Sequence, residues 1–141
     1  MADAALRTKR VLIVDDEPAV IEVLEEFFKN FRHDRAYEVQ TASNGTDAYL
    51  AFLSARPDLV LLDMNMPGMD GLQLLKQIRA LDARVPIMMI TANENTQAAA
   101  EAQTAGVSAY VPKPFDFRHL DMLVSLVLSS PRGPAGGAAA R

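Results

Sequence analysis

The chain has 141 residues, room for one domain of ordinary size and too few for a catalytic domain with a separate effector. Half of them are apolar, 23% are charged, aromatics make up 6%, and Trp and Cys are absent. That is the balance of a folded protein with an aliphatic core, and it excludes a disulfide framework, a cysteine zinc site and a thiol nucleophile. The net charge of −4 is uneven, because Val11–Leu128 carries 17 acidic against 9 basic residues while the two ends carry one against five. An acidic body argues against direct nucleic-acid binding and favours a cation or a partner with a basic surface. Apolar strings such as VLIV and LVLL are far shorter than a membrane span, and MADAALRTKR lacks the apolar stretch of a signal peptide. The expected location is the cytoplasm, with no membrane partner.

In chain order, residues 1–9 read as an N-terminal extension and Val11–Val14 as the first strand. Pro18 to Phe31 follows with Ile21, Leu24, Phe28 and Phe31 on one helical stripe, and Pro18 suits a first helical position. Tyr37–Thr41 is a second strand, Asn44 to Ala55 a second helix and Leu59–Leu62 a third strand. A helix carrying Leu72, Leu75 and Ile78 comes next, preceded by Asp70 and Gln73 in the arrangement of a capping box. Gly68 and Gly71 in the loop before it are assigned to backbone conformation. Ile87–Ile90 is the fourth strand, and Asn95 to Ala105 is read as helix mainly from its alanines, with Gly106 as the stop. Ala109–Val111 is the fifth strand, and Asp116 is placed to cap a last helix with Leu120, Leu123, Val124 and Val127 on its stripe. The ending, SSPRGPAGGAAAR, has no apolar periodicity and reads as a tail or linker stub over residues 129–141. Unbroken apolar strands suit a parallel sheet covered on both faces, so the fivefold alternation predicts an α/β three-layer sandwich with right-handed crossovers.

The strand ends carry the chemistry. VLIV runs into Asp15 and Asp16, LVLL into Asp63, IMMI into Thr91, and AYV is followed by Pro112, Lys113 and Pro114. A parallel sheet gathers its C-terminal strand ends along one edge, where open α/β folds bind ligands. Two unit charges ~4 Å apart repel by roughly 4 kcal/mol at an effective dielectric of about 20, so three carboxylates there call for a cation or a shared proton. All-oxygen ligands favour a hard ion such as Mg²⁺. Mg²⁺ and Lys113 together would stabilise a phosphoryl group in transfer, Asp63 is a candidate nucleophile, and Thr91 is placed to hydrogen-bond a phosphoryl oxygen.

Taken together, VLIVDDEP, LVLLDMNMPGMDG, ITA and AGVSAYVPKPF resemble the receiver domain of two-component response regulators over about Arg10 to Leu128. The resemblance implies a CheY-like, flavodoxin-like (βα)5 fold with strand order 2-1-3-4-5. It implies that Asp63 accepts a phosphoryl group from a phosphohistidine on a sensor histidine kinase or phosphotransfer protein. Asp16 and Asp63 would then ligate Mg²⁺ directly, Asp15 through water, and Asn65 through its backbone carbonyl. Lys113 would pair with Asp63 at rest and with the phosphoryl group afterwards. Thr91 would move toward the phosphoryl group and Tyr110 into the space vacated, reshaping the surface of the fourth helix, fifth strand and fifth helix for a downstream effector. The Lys113–Pro114 bond would be cis, and Asn65 and Asn93 would tune water access. The chain would not be an enzyme beyond its own autophosphorylation and autodephosphorylation.

Other readings of the same residues stand beside this one. Asp15 and Asp16 alone fit a turn with a helix cap, Thr91 a helix start and Lys113 a solvated loop. Met64, Met66 and Met69 fit loop packing better than a ligand set. His33 and His119 have no metal-ligand spacing. A Mg²⁺-dependent aspartyl-phosphate hydrolase of the haloacid dehalogenase type would need an acid–base Asp two positions after the nucleophile, where Asn65 stands. A degenerate receiver serving only as a docking module is the remaining alternative. Phe28 to Tyr37 is longer than is usual in receivers and lacks their Gly, so an extra helical turn or a charged loop is expected there, with an influence on kinase choice. Met122 and Leu126 are expected on the outer side of the last helix as an apolar partner patch. Arg118 is the only strongly basic residue of that helix, which favours a monomer or weak dimer. The tail is too short for an output domain, so the output is expected in a partner protein or in a longer parent chain.

Overall fold

Successive strand residues point to opposite faces, so a strand covered on both sides is apolar throughout. The computed structural model describes residues 8–30, 36–66, 70–92 and 96–129 and shows that arrangement. Strands β1 (Thr8–Val14), β2 (Ala36–Ala42), β3 (Leu59–Leu62), β4 (Ile87–Thr91) and β5 (Ala109–Pro112) form one parallel sheet in the order β2-β1-β3-β4-β5. Between and after them run α1 (Pro18–Asn30), α2 (Gly45–Ser54), α3 (Gly71–Leu81), α4 (Thr96–Ala105) and α5 (Phe117–Ser129). This is the expected α/β sandwich, with the flavodoxin-like strand order.

The two faces of the sheet take alternate residues of the same strands. Val11, Ile13, Leu59, Leu61, Met88, Ile90 and Val111 pack with Leu24, Phe27 and Phe28 of α1 and Leu120 and Val124 of α5. Leu12, Val14, Val60, Leu62, Ile87 and Met89 pack on the other side with Phe52 of α2, Leu74, Leu75 and Ile78 of α3 and Ala102 of α4. Met64 and Met66 are buried in that second cluster, where their flexible side chains fill the core beneath the loop.

Helix ends follow local chemistry. Asn44 Oδ1 accepts the Asp47 N–H at 2.8 Å, Asp70 Oδ1 accepts the Gln73 N–H at 2.9 Å, and Asp116 Oδ1 accepts the Arg118 N–H at 2.8 Å. α4 stops at Gly106, whose φ of 100° is in the region glycine adopts without steric cost. Its N–H donates to the Gln103 carbonyl and the Val107 N–H to the Ala102 carbonyl, both at 3.1 Å, which is the Schellman pattern. The Arg79 guanidinium donates to the Gly106 carbonyl from Nε (2.9 Å) and Nη2 (2.7 Å), and to the Val85 carbonyl at 2.6 Å, tying α3 to the end of α4.

Some boundaries differ from the sequence expectation. β1 begins at Thr8, inside the stretch read as an extension, and pairs Thr8, Lys9 and Arg10 with Ala36, Tyr37 and Glu38. Main-chain pairing needs no apolar side chain, so polar residues at a sheet margin leave no strand pattern. Phe27, absent from the predicted stripe of α1, is fully buried and meets Phe28 and Phe117 edge-on at 5.0 and 5.4 Å. Residues 31–35 of the long Phe28–Tyr37 stretch, Phe31 and His33 among them, lie outside the described residues, as do Gly68, Met69, Asn93 and the tail from residue 130. Phe28 and Tyr37, the two ends of that stretch, contact each other at 4.9 Å between ring centroids. Among the described residues no helix is long and apolar enough to cross a membrane.

Candidate functional site

Main-chain hydrogen bonds extend the sheet one residue past the apolar strings. The Asp15 N–H donates to the Ala42 carbonyl (3.1 Å), the Asp63 N–H to the Val14 carbonyl (2.9 Å) and the Lys113 N–H to the Thr91 carbonyl (2.9 Å). The side chains that follow β1, β3 and β5 are therefore held in register with the rigid sheet rather than carried on free loops. One carboxylate oxygen from each of Asp15, Asp16 and Asp63 lies within 4.8 Å of the others. Asp15 and Asp63 are only 2% and 5% exposed, and Asp16 is exposed at the mouth. A cluster of hard oxygen donors at this spacing fits a divalent cation such as Mg²⁺.

Lys113 supplies the positive charge. Its Nζ donates to Asp15 Oδ2 at 2.8 Å, lies 3.3 Å from Glu17 Oε1, and is 3.8 Å from Asp63 Oδ2. The expected pairing with Asp63 is thus the longest of three, and the hydrogen bonds go to Asp15 and Glu17. Asp15 is itself held in place, because its other oxygen accepts the Glu17 N–H at 2.9 Å. Thr91, the last residue of β4, is fully buried, and its hydroxyl hydrogen-bonds to the Asp63 carboxylate. The Asn65 N–H points toward Asp63 Oδ1 at 3.4 Å. Tyr110 is half-buried on β5, beside Met89, and packs against the cluster that includes α3 and α4. The Lys113–Pro114 peptide bond is cis.

Burial pushes the Asp63 carboxyl above its ordinary value, the neighbouring Asp15 charge adds to this, and Lys113, Asn65 and Thr91 act against it. Burial alone would lower the Lys113 ammonium, but the Asp15 hydrogen bond and charge, with Asp63 and Glu17, hold it above its usual value. Burial raises the Tyr110 hydroxyl as well.

Two residues have roles that sequence patterning did not reveal. Gly71 is required by space rather than by backbone conformation: a Cβ there would overlap the Asp63 carbonyl oxygen and come within 2.6 Å of Met64 Cα. Its N–H donates to the Met64 carbonyl at 2.8 Å, so the start of α3 rests directly on the chain that follows β3. Glu17 stands in the sequence only as part of the DDEP string, and its one local signal is that a Glu directly before a helix-starting Pro is an unusual cap.

Comparison with known proteins agrees with this geometry. Residues 11–125 match the family model of the response regulator receiver domain. The regulatory protein AtoC of Escherichia coli is 39% identical over 119 residues, 84% of this chain. Sporulation initiation phosphotransferase F of Bacillus subtilis is 34% identical over 111 residues, 79% of this chain and 86% of its own length. The CheY-like receiver domain protein of Methanospirillum hungatei superposes with a TM-score of 0.80 at 26% identity, covering 86% of this chain and 94% of its own. The chain spans about a quarter of the length of AtoC and of the NtrC regulators it also matches. The chain belongs to the response regulator receiver domain family of two-component systems, and its general role is that of a phosphoacceptor signalling switch.

Proposed function

We propose that Asp63 takes a phosphoryl group from a phosphohistidine on a sensor histidine kinase or a phosphotransfer protein. The observation that carries this reading is the convergence of Asp15, Asp16, Asp63, Thr91 and Lys113 at one sheet edge. One Asp63 carboxylate oxygen attacks phosphorus as the P–N bond breaks, and the departing imidazole nitrogen keeps the electron pair and takes a proton from solvent. Lys113 then pairs with the phosphoryl oxygens, and the Thr91 hydroxyl turns from the carboxylate to donate to one of them. Asp16 and Asp63 directly, Asp15 through water, and the Asn65 carbonyl would hold Mg²⁺, which when bound supplies positive charge opposite the transferring oxygens. A shallow apolar groove lined by Val20, Val23, Ala92, Pro114 and Phe115 also has Lys113 in its wall, and gives the phosphodonor protein a surface continuous with the crevice.

Movement of Thr91, followed by Tyr110, carries the change to the surface of α4, β5 and α5. Met122 and Leu126, 52% and 56% exposed on α5, offer the downstream effector an apolar contact. Asn65 and Asn93 set the lifetime of the acyl phosphate. Residues 8–129 act as the receiver, the residues on either side flank it, and the protein works in the cytoplasm as a monomer or weak dimer without touching nucleic acid itself.

Incubation with acetyl phosphate or phosphoramidate tests the chemistry. The wild type is expected to take up phosphate only with Mg²⁺, and Asp63→Asn none. A wild type that takes no label, or an Asp63→Asn chain that does, overturns the reading. Sedimentation with a beryllofluoride phosphoryl mimic tests the oligomeric state, and a clean dimer only in the activated form contradicts the monomeric assignment.

A further inference from the structure

Glu17 is the N-cap residue of α1: its carbonyl accepts the Ile21 N–H at 3.2 Å and the Val20 N–H at 3.0 Å. Caps are usually Ser, Thr, Asp or Asn, whose short side chains fold back onto the first free N–H groups. The side chain of Glu17 instead reaches across the crevice, to 3.3 Å from Lys113 Nζ, while its own N–H fixes Asp15 Oδ1 at 2.9 Å. One residue therefore acts twice on the same ion pair: its main chain orients Asp15, and its carboxylate adds a second acceptor on that side of Lys113. A local rule broken at a helix start, beside a functional crevice, points to a role in that crevice.

We propose that Glu17 is a positioning residue that holds the Lys113 ammonium on the Asp15 side of the crevice, away from Asp63, and so restrains phosphoryl transfer. This rests on the reading of Asp63 as the phosphoacceptor. The three distances from Lys113 Nζ increase from Asp15 (2.8 Å) through Glu17 (3.3 Å) to Asp63 (3.8 Å), so the cation starts displaced from where the phosphoryl group arrives. Attraction to Glu17 stabilises the resting position and competes with the phosphoryl oxygens afterwards. A contact that favours one of two states shifts their balance only by that difference. The Glu17 carboxylate is 63% exposed, so water screens the pair and the effect is a few-fold rather than all-or-none.

The experiment compares wild type, Glu17→Gln and Glu17→Asp. Phosphorylation rates with phosphoramidate at saturating Mg²⁺ are read beside the ¹⁵N resonance of the Lys113 ammonium in the metal-free chain. Glu17→Asp keeps the charge but is one methylene shorter and is a residue that turns back to cap its own helix. Both variants are expected to phosphorylate about two- to fivefold faster than wild type and to shift the Lys113 resonance in the same direction. Acceleration in Glu17→Gln alone would mean that bulk negative charge repels the donor, and overturns the proposal. So do rates or a Lys113 resonance that neither variant changes. A wild-type chain that takes no label overturns the phosphoacceptor reading and this proposal with it, whereas label in all three at one rate overturns only the proposal.

Discussion

The body of β3 and the residue that follows it have opposite energetics. Leu59–Leu62 is buried and apolar, and every side chain removed from water there stabilises the fold. Asp63, the next residue, is nearly as buried, but its environment raises its pKa and makes its charge costly to the fold. β1 repeats the contrast, passing from Val14 to Asp15 within one residue. The body of each strand contributes stability, and that rigidity holds the edge in an arrangement that is poor for stability and useful for binding a cation and a phosphoryl group.

Substitutions in the two regions should therefore act with opposite sign. The largest effect is expected from Leu61→Ala in the body of β3, with a loss of about 3 kcal/mol in denaturant unfolding from the lost burial and the cavity left behind. Gly71→Ala tests the junction between body and edge. The added methyl meets main chain rather than a movable side chain, so a loss of about 2 kcal/mol is expected, with slower phosphate uptake as the Asp63 backbone is displaced.

At the edge the sign reverses. Asp63→Asn is expected to stabilise the metal-free chain at neutral pH, by less than either core substitution costs, while abolishing phosphorylation. The pH dependence follows from the raised Asp63 pKa. Between the ordinary carboxylate value of 3.8 and the higher folded value, the native state binds a proton that the unfolded chain has released. Stability is thus greatest at the acid end of that window and falls as pH rises through it, and the fall should be missing from Asp63→Asn melts. The smallest effect is expected at Met122→Ser, whose exposed side chain touches neither region: unfolding should change by less than about 0.5 kcal/mol. A loss of several kcal/mol there would show that the outer face of α5 belongs to the core.

The sequence shows this contrast clearly where it is sharpest. VLIV, LVLL and IMMI are legible as buried strands because both of their faces are covered, and Asp15, Asp16, Asp63 and Thr91 are conspicuous because polar residues interrupt those runs. Phe27 escaped the stripe of α1 because helix periodicity marks the direction of the core and not its width. Thr8–Arg10 escaped β1 because their contribution is main-chain pairing with β2. Gly71 was visible as a glycine, but its need for space depends on Asp63 and Met64, which reach it only when α3 folds back across the end of β3.

The sequence by itself determined the order of elements, the apolar interior and the set of polar residues at the strand ends, because burial and secondary-structure periodicity are local patterns. Only the tertiary structure decided how those polar residues share their partners. Lys113 is 98 positions from Asp15, 96 from Glu17 and 50 from Asp63, and its preference for the first is set by differences of about an ångström or less among three carboxylates. Electrostatic interactions depend on distance and burial across the whole fold, and neither is written in the spacing of residues along the chain.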